Sequence, residues 1–175
     1  SRTNLNGFTT STNAGQTRHL GAELDISYFQ TLGPVYNLNY FVTGSIMSYH
    51  FQNFIDGEDN FSGNELTGTP AEMFNAGIEL TSQNGFYANI NSQYTGEIPI
   101  DDGNTLYASS YFLLRSKVGY HFKWDWLEID LFTGINNLTN TKYSSMLQIN
   151  SAFGRFYYPG TPRNYYGGLS VKVGF

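Results

Sequence analysis

The chain contains no cysteine, which removes disulfides, thiolate metal ligands and thiol nucleophiles from consideration. Charge is scarce too. Asp, Glu, Lys and Arg make up 13% of the 175 residues, about half of the ~25% usual in a soluble domain. The 9 basic residues are outnumbered by 14 acidic ones and form no cluster, so the electrostatic footprint of a nucleic-acid binder is missing. No run approaches the ~18 consecutive apolar residues of a membrane-spanning helix, and the mean hydropathy is -0.34. These absences exclude a helical membrane protein but not a membrane β-barrel, whose strands need only alternate. Residues 1–17 lack a basic stretch followed by an apolar core and are not read as a signal peptide. Without an initiating Met, Ser1 is read as an interior position of a longer protein or a processed end. No linker, low-complexity spacer or solenoid repeat interrupts the chain.

What the chain has in quantity is Tyr (14), Phe (14) and Gly (19). Low charge with many aromatics argues against disorder. Period-two patterning predicts seven strands, near 18–29, 36–49, 72–81, 86–95, 109–122, 126–137 and 163–175. The first sets Leu20, Ala22, Leu24, Ile26 and Tyr28 against His19, Glu23 and Asp25. The fifth sets Phe112, Leu114, Val118, Tyr120 and Phe122 against Arg115, Lys117 and His121. The sixth sets Leu127, Ile129, Leu131 and Ile135 against Glu128 and Asp130. The apolar phase is expected to carry no charge inside the strands. A soluble sandwich core excludes charge as well, so phase alone does not decide.

The connections do. Leu32-Gly33-Pro34, Ser82-Gln83-Asn84-Gly85 and Lys123-Trp124-Asp125 are tight turns, and Asn84-Gly85 predicts a turn with two positive-φ residues. The segments 50–70, 96–107 and 138–161 are long and polar. Short turns at one end and long loops at the other fit an outer-membrane barrel, and a sandwich has no reason to sort them. Tyr28, Phe29, Tyr36, Phe86, Phe122, Trp124 and Trp126 fall at the short-turn end, as a periplasmic aromatic girdle would. Tyr49, Phe74, Tyr94, Tyr111, Phe112 and Tyr165 fall near the other. Seven strands start and finish on opposite sides, whereas bacterial single-chain barrels have even strand numbers. Either an eighth strand lies in 1–12 or 151–159, or the chain is part of a larger barrel.

The segments Gly134-Ile135-Asn136-Asn137-Leu138-Thr139-Asn140-Thr141-Lys142-Tyr143 and Tyr158-Pro159-Gly160-Thr161-Pro162-Arg163, followed by a last strand ending in Phe175, resemble the C-terminal end of TonB-dependent outer-membrane receptors. The resemblance implies an all-β fold: an antiparallel transmembrane β-barrel, of which residues 1–175 are the C-terminal part and these seven strands the last of 22. It implies a receptor in the bacterial outer membrane taking up a ferric siderophore, cobalamin or a glycan. Its partners would be outer-membrane lipid, a plug domain, the remaining strands, TonB, the barrel assembly machinery and a surface lipoprotein, with no nucleic acid. The terminal pattern of Tyr166, Gly168, Val171, Val173 and Phe175 resembles the barrel-assembly signal. Phe153, Arg155, Tyr157 and Tyr158 are candidate ligand contacts in the last loop.

Other constellations are weak. Asp56, Glu58, Asp59 and Asn60 are oxygen-rich but lack the Gly and Glu spacing of a calcium loop, and are read, like Asp101-Asp102, as solvated loop. His19, His50 and His121 have no partner at ligand spacing, so no metal site and no cofactor are expected. No catalytic residue is assigned, because no nucleophile elbow is present. The alternatives are a small closed eight-stranded barrel, structural or adhesive, and a barrel-embedded lipid enzyme built on His50 and a nearby serine.

Overall fold

The computed structural model describes residues 2–3, 9–10, 15–151 and 154–174. Seven long strands dominate: β1 (Gln16–Leu32), β2 (Tyr36–Asn53), β3 (Glu72–Ser82), β4 (Phe86–Thr95), β5 (Tyr111–Lys123), β6 (Leu127–Asn136) and β7 (Asn164–Val173). Each pairs antiparallel with its neighbour in sequence, giving one meander with β1 and β7 at its edges. In the two candidate places for an eighth strand, 1–12 and 151–159, the described residues form short pairs, Arg2–Thr3 with Thr9–Thr10 and Ser144–Leu147 with Tyr157–Pro159. Neither joins the main sheet. Among the described residues the sheet is therefore open.

Register brings the apolar phases of all seven strands onto one face. Tyr28 faces Tyr40, which faces Ile78, then Ile90, Ser116, Ile135 and Tyr165 across the sheet. This face is exposed or half-buried along every strand and most open near the sheet edges: Ile26, Leu131 and Leu169 are 55%, 54% and 65% accessible. A one-residue slip in any pair would move charge onto it. Two charges do lie on the apolar phase, contrary to expectation. Arg18, opposite His50, lies in β1, and Glu72 opens β3, both at the first positions of the strands expected near 18–29 and 72–81. Both sit at the long-loop ends of their strands, where Tyr94 donates a hydrogen bond to Glu72 at 3.1 Å. Charge near an interface costs far less than at mid-membrane.

The tight turns occur where the sequence puts them, with one correction. In Ser82–Gly85 only Gly85 has positive φ, 95°. Gly85 N–H donates to the Ser82 carbonyl at 3.0 Å, and the Gly85 carbonyl accepts from His121 N–H at 2.8 Å. Asn84 stays at negative φ because its own N–H reaches the Ser82 hydroxyl at 3.2 Å, and the glycine alone absorbs the reversal, as in a three-residue hairpin loop.

The opposite face is polar and carries its own packing. The rings of Tyr87, Tyr166 and Phe132 reach over Gly119, Gly134 and Gly168, leaving no room for a Cβ beneath them. Lys117 Nζ sits 4.2 Å from the Phe132 ring centroid and 5.3 Å from that of Tyr87, a cation–π arrangement. Glu128 accepts from Lys123 at 3.3 Å and Lys172 at 3.4 Å across both its neighbours. Tyr87 hydroxyl donates to Asp130 at 3.1 Å, and Arg115 to Gln93 at 3.0 Å. Phe29, Tyr49 and Tyr111, grouped by sequence with the two aromatic rows, are on this polar face by register, since their odd positions pair with Asn39, His19 and Thr95.

Where β6 ends, the chain turns on Asn137. This residue is buried, 3% accessible, at φ 51°. Its amide donates to the Thr141 and Thr161 carbonyls at 2.9 and 3.2 Å and its oxygen accepts Thr141 N–H at 2.8 Å. Leu138 N–H continues the ladder to Leu114 at 2.7 Å. Tyr143 then covers Gly160, whose N–H donates to the Tyr143 carbonyl at 2.7 Å. The Asn-Leu…Lys-Tyr and Pro-Gly segments are thus two halves of one clip. Asn137→Ala removes three buried hydrogen bonds and an αL-tolerant residue. It should destabilise the folded receptor by about 2–4 kcal/mol in urea titration, and an unchanged midpoint would contradict the clip.

Candidate functional site: the long-loop end

The three long connections are not solvated coil. Among the described residues the fully buried large side chains are Pro99 and Ile100, in the middle connection, while Phe51, Ala108 and Leu113 around the loop bases are 3–6% accessible. Short ladders stiffen each connection: Ile55–Asp56 with Asp59–Asn60, Ile98–Pro99 with Tyr107–Ala108, and Ser144–Leu147 with Tyr157–Pro159. In the described structure the buried core lies here, because the main sheet presents both faces outward.

Asp101 and Asp102, expected to be solvated, hold this layer together. Asp101 carboxylate accepts from Thr105 hydroxyl at 2.7 Å, Thr105 N–H at 3.2 Å and Leu106 N–H at 2.8 Å. Asp102 reaches both neighbouring connections. It accepts from Thr67 hydroxyl at 2.5 Å and Asn150 amide at 3.0 Å, its carbonyl accepts from Asn64 at 2.7 Å, and its N–H donates to Asn150 at 3.0 Å. Asn104, at φ 53°, accepts Glu65 N–H at 2.6 Å and returns a donor to the Glu65 carbonyl at 3.1 Å. Tyr107 hydroxyl donates to Glu65 at 3.1 Å. Partial burial, then the bond to Glu65, push the Tyr107 phenol above its ordinary value.

Between the connections lies a cleft of about 560 Å³ whose walls include Thr67, Tyr111, Lys142, Tyr143, Ser144 and Tyr157. Tyr111 and Tyr143 rings stand 5.1 Å apart. Of the candidate ligand contacts, Tyr157 reaches the cleft, Tyr158 and Arg155 are exposed away from its walls, and Phe153 lies outside the described residues. The sequence places Tyr111 in the outer aromatic row and Lys142-Tyr143 in the tail motif, and assigns neither a ligand contact, because the two segments lie far apart in the chain. Positive φ at Asn104 and Asn150 was the one local signal, since Asn tolerates that conformation in turns.

The remaining candidates separate by face. Tyr36, Phe86 and Phe122 are on the apolar face near the tight turns, with Tyr28 two pleat repeats further in, level with Ile90. Trp124 and Trp126 flank the last turn at 53% and 62% accessible. Phe122 and Trp124 stack at 5.9 Å. A second row, Phe74, Tyr94 and Phe112, is in direct register near the loops. From Phe86 to Tyr94 β4 rises about 26 Å at ~3.3 Å per residue, or about 20 Å vertically at a ~40° tilt, comparable with the ~25 Å apolar band of a barrel. In β7, Tyr166 and Gly168 are on the polar face, Val171 and Val173 on the apolar face, and Phe175 lies outside the described residues. Ser48 hydroxyl and His50 Nδ1 are 3.4 Å apart on one strand. Among the described residues no three His, Asp or Glu groups converge as metal ligands would.

Partial burial raises the Asp101 pKa, but the hydrogen bonds from Thr105 and Leu106 outweigh it and hold the carboxyl below the ordinary 3.8. A depressed carboxylate stabilises the fold above its unfolded pKa and loses that contribution as pH falls through the folded one. Protection of the backbone amides in 101–106, measured against their intrinsic exchange rates at each pH, should therefore fall below about pH 4. Asp101→Asn should flatten that dependence, and an identical acid limb in the variant would contradict it.

Residues 1–138 match the family model described as TonB dependent receptor-like, beta-barrel. Among solved structures, the ferric citrate transporter FecA in its unliganded form aligns over 98% of this chain and 26% of its own, at 19% identity and a TM-score of 0.75. The ferric yersiniabactin uptake receptor FyuA from Yersinia pestis aligns over 93% and 24%, at 18% identity and a TM-score of 0.65. The ferric preacinetobactin receptor BauA from Acinetobacter baumannii aligns over 90% and 26%, at 16% identity and a TM-score of 0.60. The chain thus spans about a quarter of the length of these structures, and the likeness covers the tail beyond residue 138 as well. The open seven-stranded sheet is a segment of a β-barrel, and the chain belongs to the TonB-dependent receptor β-barrel family.

Proposed function

We propose that this chain is the C-terminal part of an outer-membrane receptor that actively takes up a scarce nutrient, with a ferric chelate the leading cargo and cobalamin or a glycan the alternatives. The observation that carries the reading is the open, charge-sorted sheet of a TonB-dependent receptor barrel, its apolar face exposed and both edges awaiting further strands. The apolar face meets lipid, with Tyr28, Tyr36, Phe86, Phe122, Trp124 and Trp126 as the periplasmic girdle. The polar face meets the plug domain, and TonB acts on that plug. The ferric chelates named for the structural neighbours favour iron, and the receptor role leaves the chain without catalytic chemistry of its own. The free edge of β7, with Tyr166, Gly168, Val171, Val173 and Phe175, is what the barrel assembly machinery would engage by strand addition. A surface lipoprotein over the long loops would accompany a glycan cargo.

The test is uptake by the full-length receptor in whole cells, with a panel of radiolabelled ferric hydroxamate, ferric citrate, cobalamin and oligosaccharide. Uptake of at least one probe should vanish when the inner-membrane energy transducer is deleted. Uptake that survives that deletion, or a mature product no longer than these 175 residues, would overturn the reading.

A further inference from the structure

The three long connections come from separate hairpins, and nothing in a barrel requires them to touch. Here they are tied by side chains reaching from one to the next. Asp102 holds Thr67 and Asn64 of the first connection and Asn150 of the third. Asn104 holds Glu65. Backbone bonds run the same way: Gly68 N–H donates to the Pro99 carbonyl at 2.8 Å and Asn150 N–H to the Ile100 carbonyl at 2.9 Å. Ile149 packs against Gly68, and Ile100 between them is fully buried. Loops that move independently share few backbone bonds and bury little, whereas these bond to one another through Gly68, Pro99, Ile100 and Asn150 and bury Pro99 and Ile100 where they meet.

We propose that the three connections form one preassembled body, with Asp102 and Asn104 as positioning residues that hold the cleft between Tyr111, Lys142, Tyr143 and Tyr157 in shape before any cargo arrives. The proposal rests on the reading that this end of the barrel faces the medium and meets cargo. In such a receptor, capture would need closure only from elements outside this segment, and the cleft would be a fixed wall with its ordering entropy already spent at folding.

The test needs no cargo, so its failure is separable from failure of the transport assignment. Hydrogen exchange is followed in the full-length receptor in lipid nanodiscs. Glu65, Gly68 and Asn150 should all exchange slowly, and Asp102→Ala should speed all three by about tenfold. Asp102→Asn, which keeps an acceptor for Thr67, should recover most of the protection. Spin labels on Glu58→Cys and Gln148→Cys, with any other cysteine replaced, should give one narrow distance distribution that broadens in Asp102→Ala. Acceleration confined to 96–107, or a broad distribution without the Asp102 change, would overturn the proposal.

Discussion

In hydrocarbon no water is available to pair with a backbone N–H or carbonyl, and each unpaired group costs several kcal/mol. The rest of this structure follows from that constraint. Every strand must find a neighbour along its whole length, which makes the strands long, antiparallel and in strict register. The sheet must also close. β1 and β7 each have one neighbour within it, so this segment satisfies the constraint only as an arc of a larger ring. Register in turn fixes chemistry. With one face kept apolar, the period of two delivers Glu23, Asp25, Arg115, Lys117, Glu128 and Asp130 to the other face without any further instruction.

The two ends of the arc are built on different principles. At the tight-turn end the chain reverses in a few residues, and aromatic rings gather on the apolar face and around the turns. At the other end, long connections fold on one another. There the buried side chains, Ile100 and Pro99, and the densest side-chain bonding are found. The sheet itself is stabilised by its ladder, by aromatic rings lying on glycines across strands, and by charge pairs such as Glu128 with Lys123 and Lys172. The loop layer behaves as a small conventional fold seated on the rim.

This division explains what was legible in the sequence. Strands were readable because one apolar face imposes alternation along every strand. Even so, Phe29, Tyr49 and Tyr111 were grouped by their distance from a turn when phase decides their face. Arg18 and Glu72 stand at the first positions of the expected strands, on the apolar phase but ahead of the first apolar residues Leu20 and Phe74, so the charge-free phase holds only from those residues inward. The turn at Asn84-Gly85 was located correctly but mistyped, since one glycine with positive φ does the work assigned to two residues. The loop layer was hidden. Asp101 and Asp102 looked like any acidic pair in a polar stretch; Asp101 bonds locally to Thr105 and Leu106, but the partners of Asp102, Thr67, Asn64 and Asn150, lie 35 to 48 positions away. No local pattern encodes such distances. The tail segments were recognisable by resemblance, and Asn137, Tyr143 and Gly160 supply the physical reason for them: a buried turn residue and a ring seated on a glycine.

The central claim is that one phase of each strand faces lipid and the other does not. It is tested most directly by moving a nitroxide label residue by residue along β2, from Leu38 to Ser45, in the full-length receptor in a bilayer. Collision rates are then measured with oxygen, which partitions into lipid, and with a water-soluble nickel chelate. Oxygen access should peak at Leu38, Tyr40 and Val42 and fall at Asn39, Phe41 and Thr43, with period two throughout. Equal oxygen access on both phases, or nickel access at Val42 matching that at an exposed loop site, would contradict it.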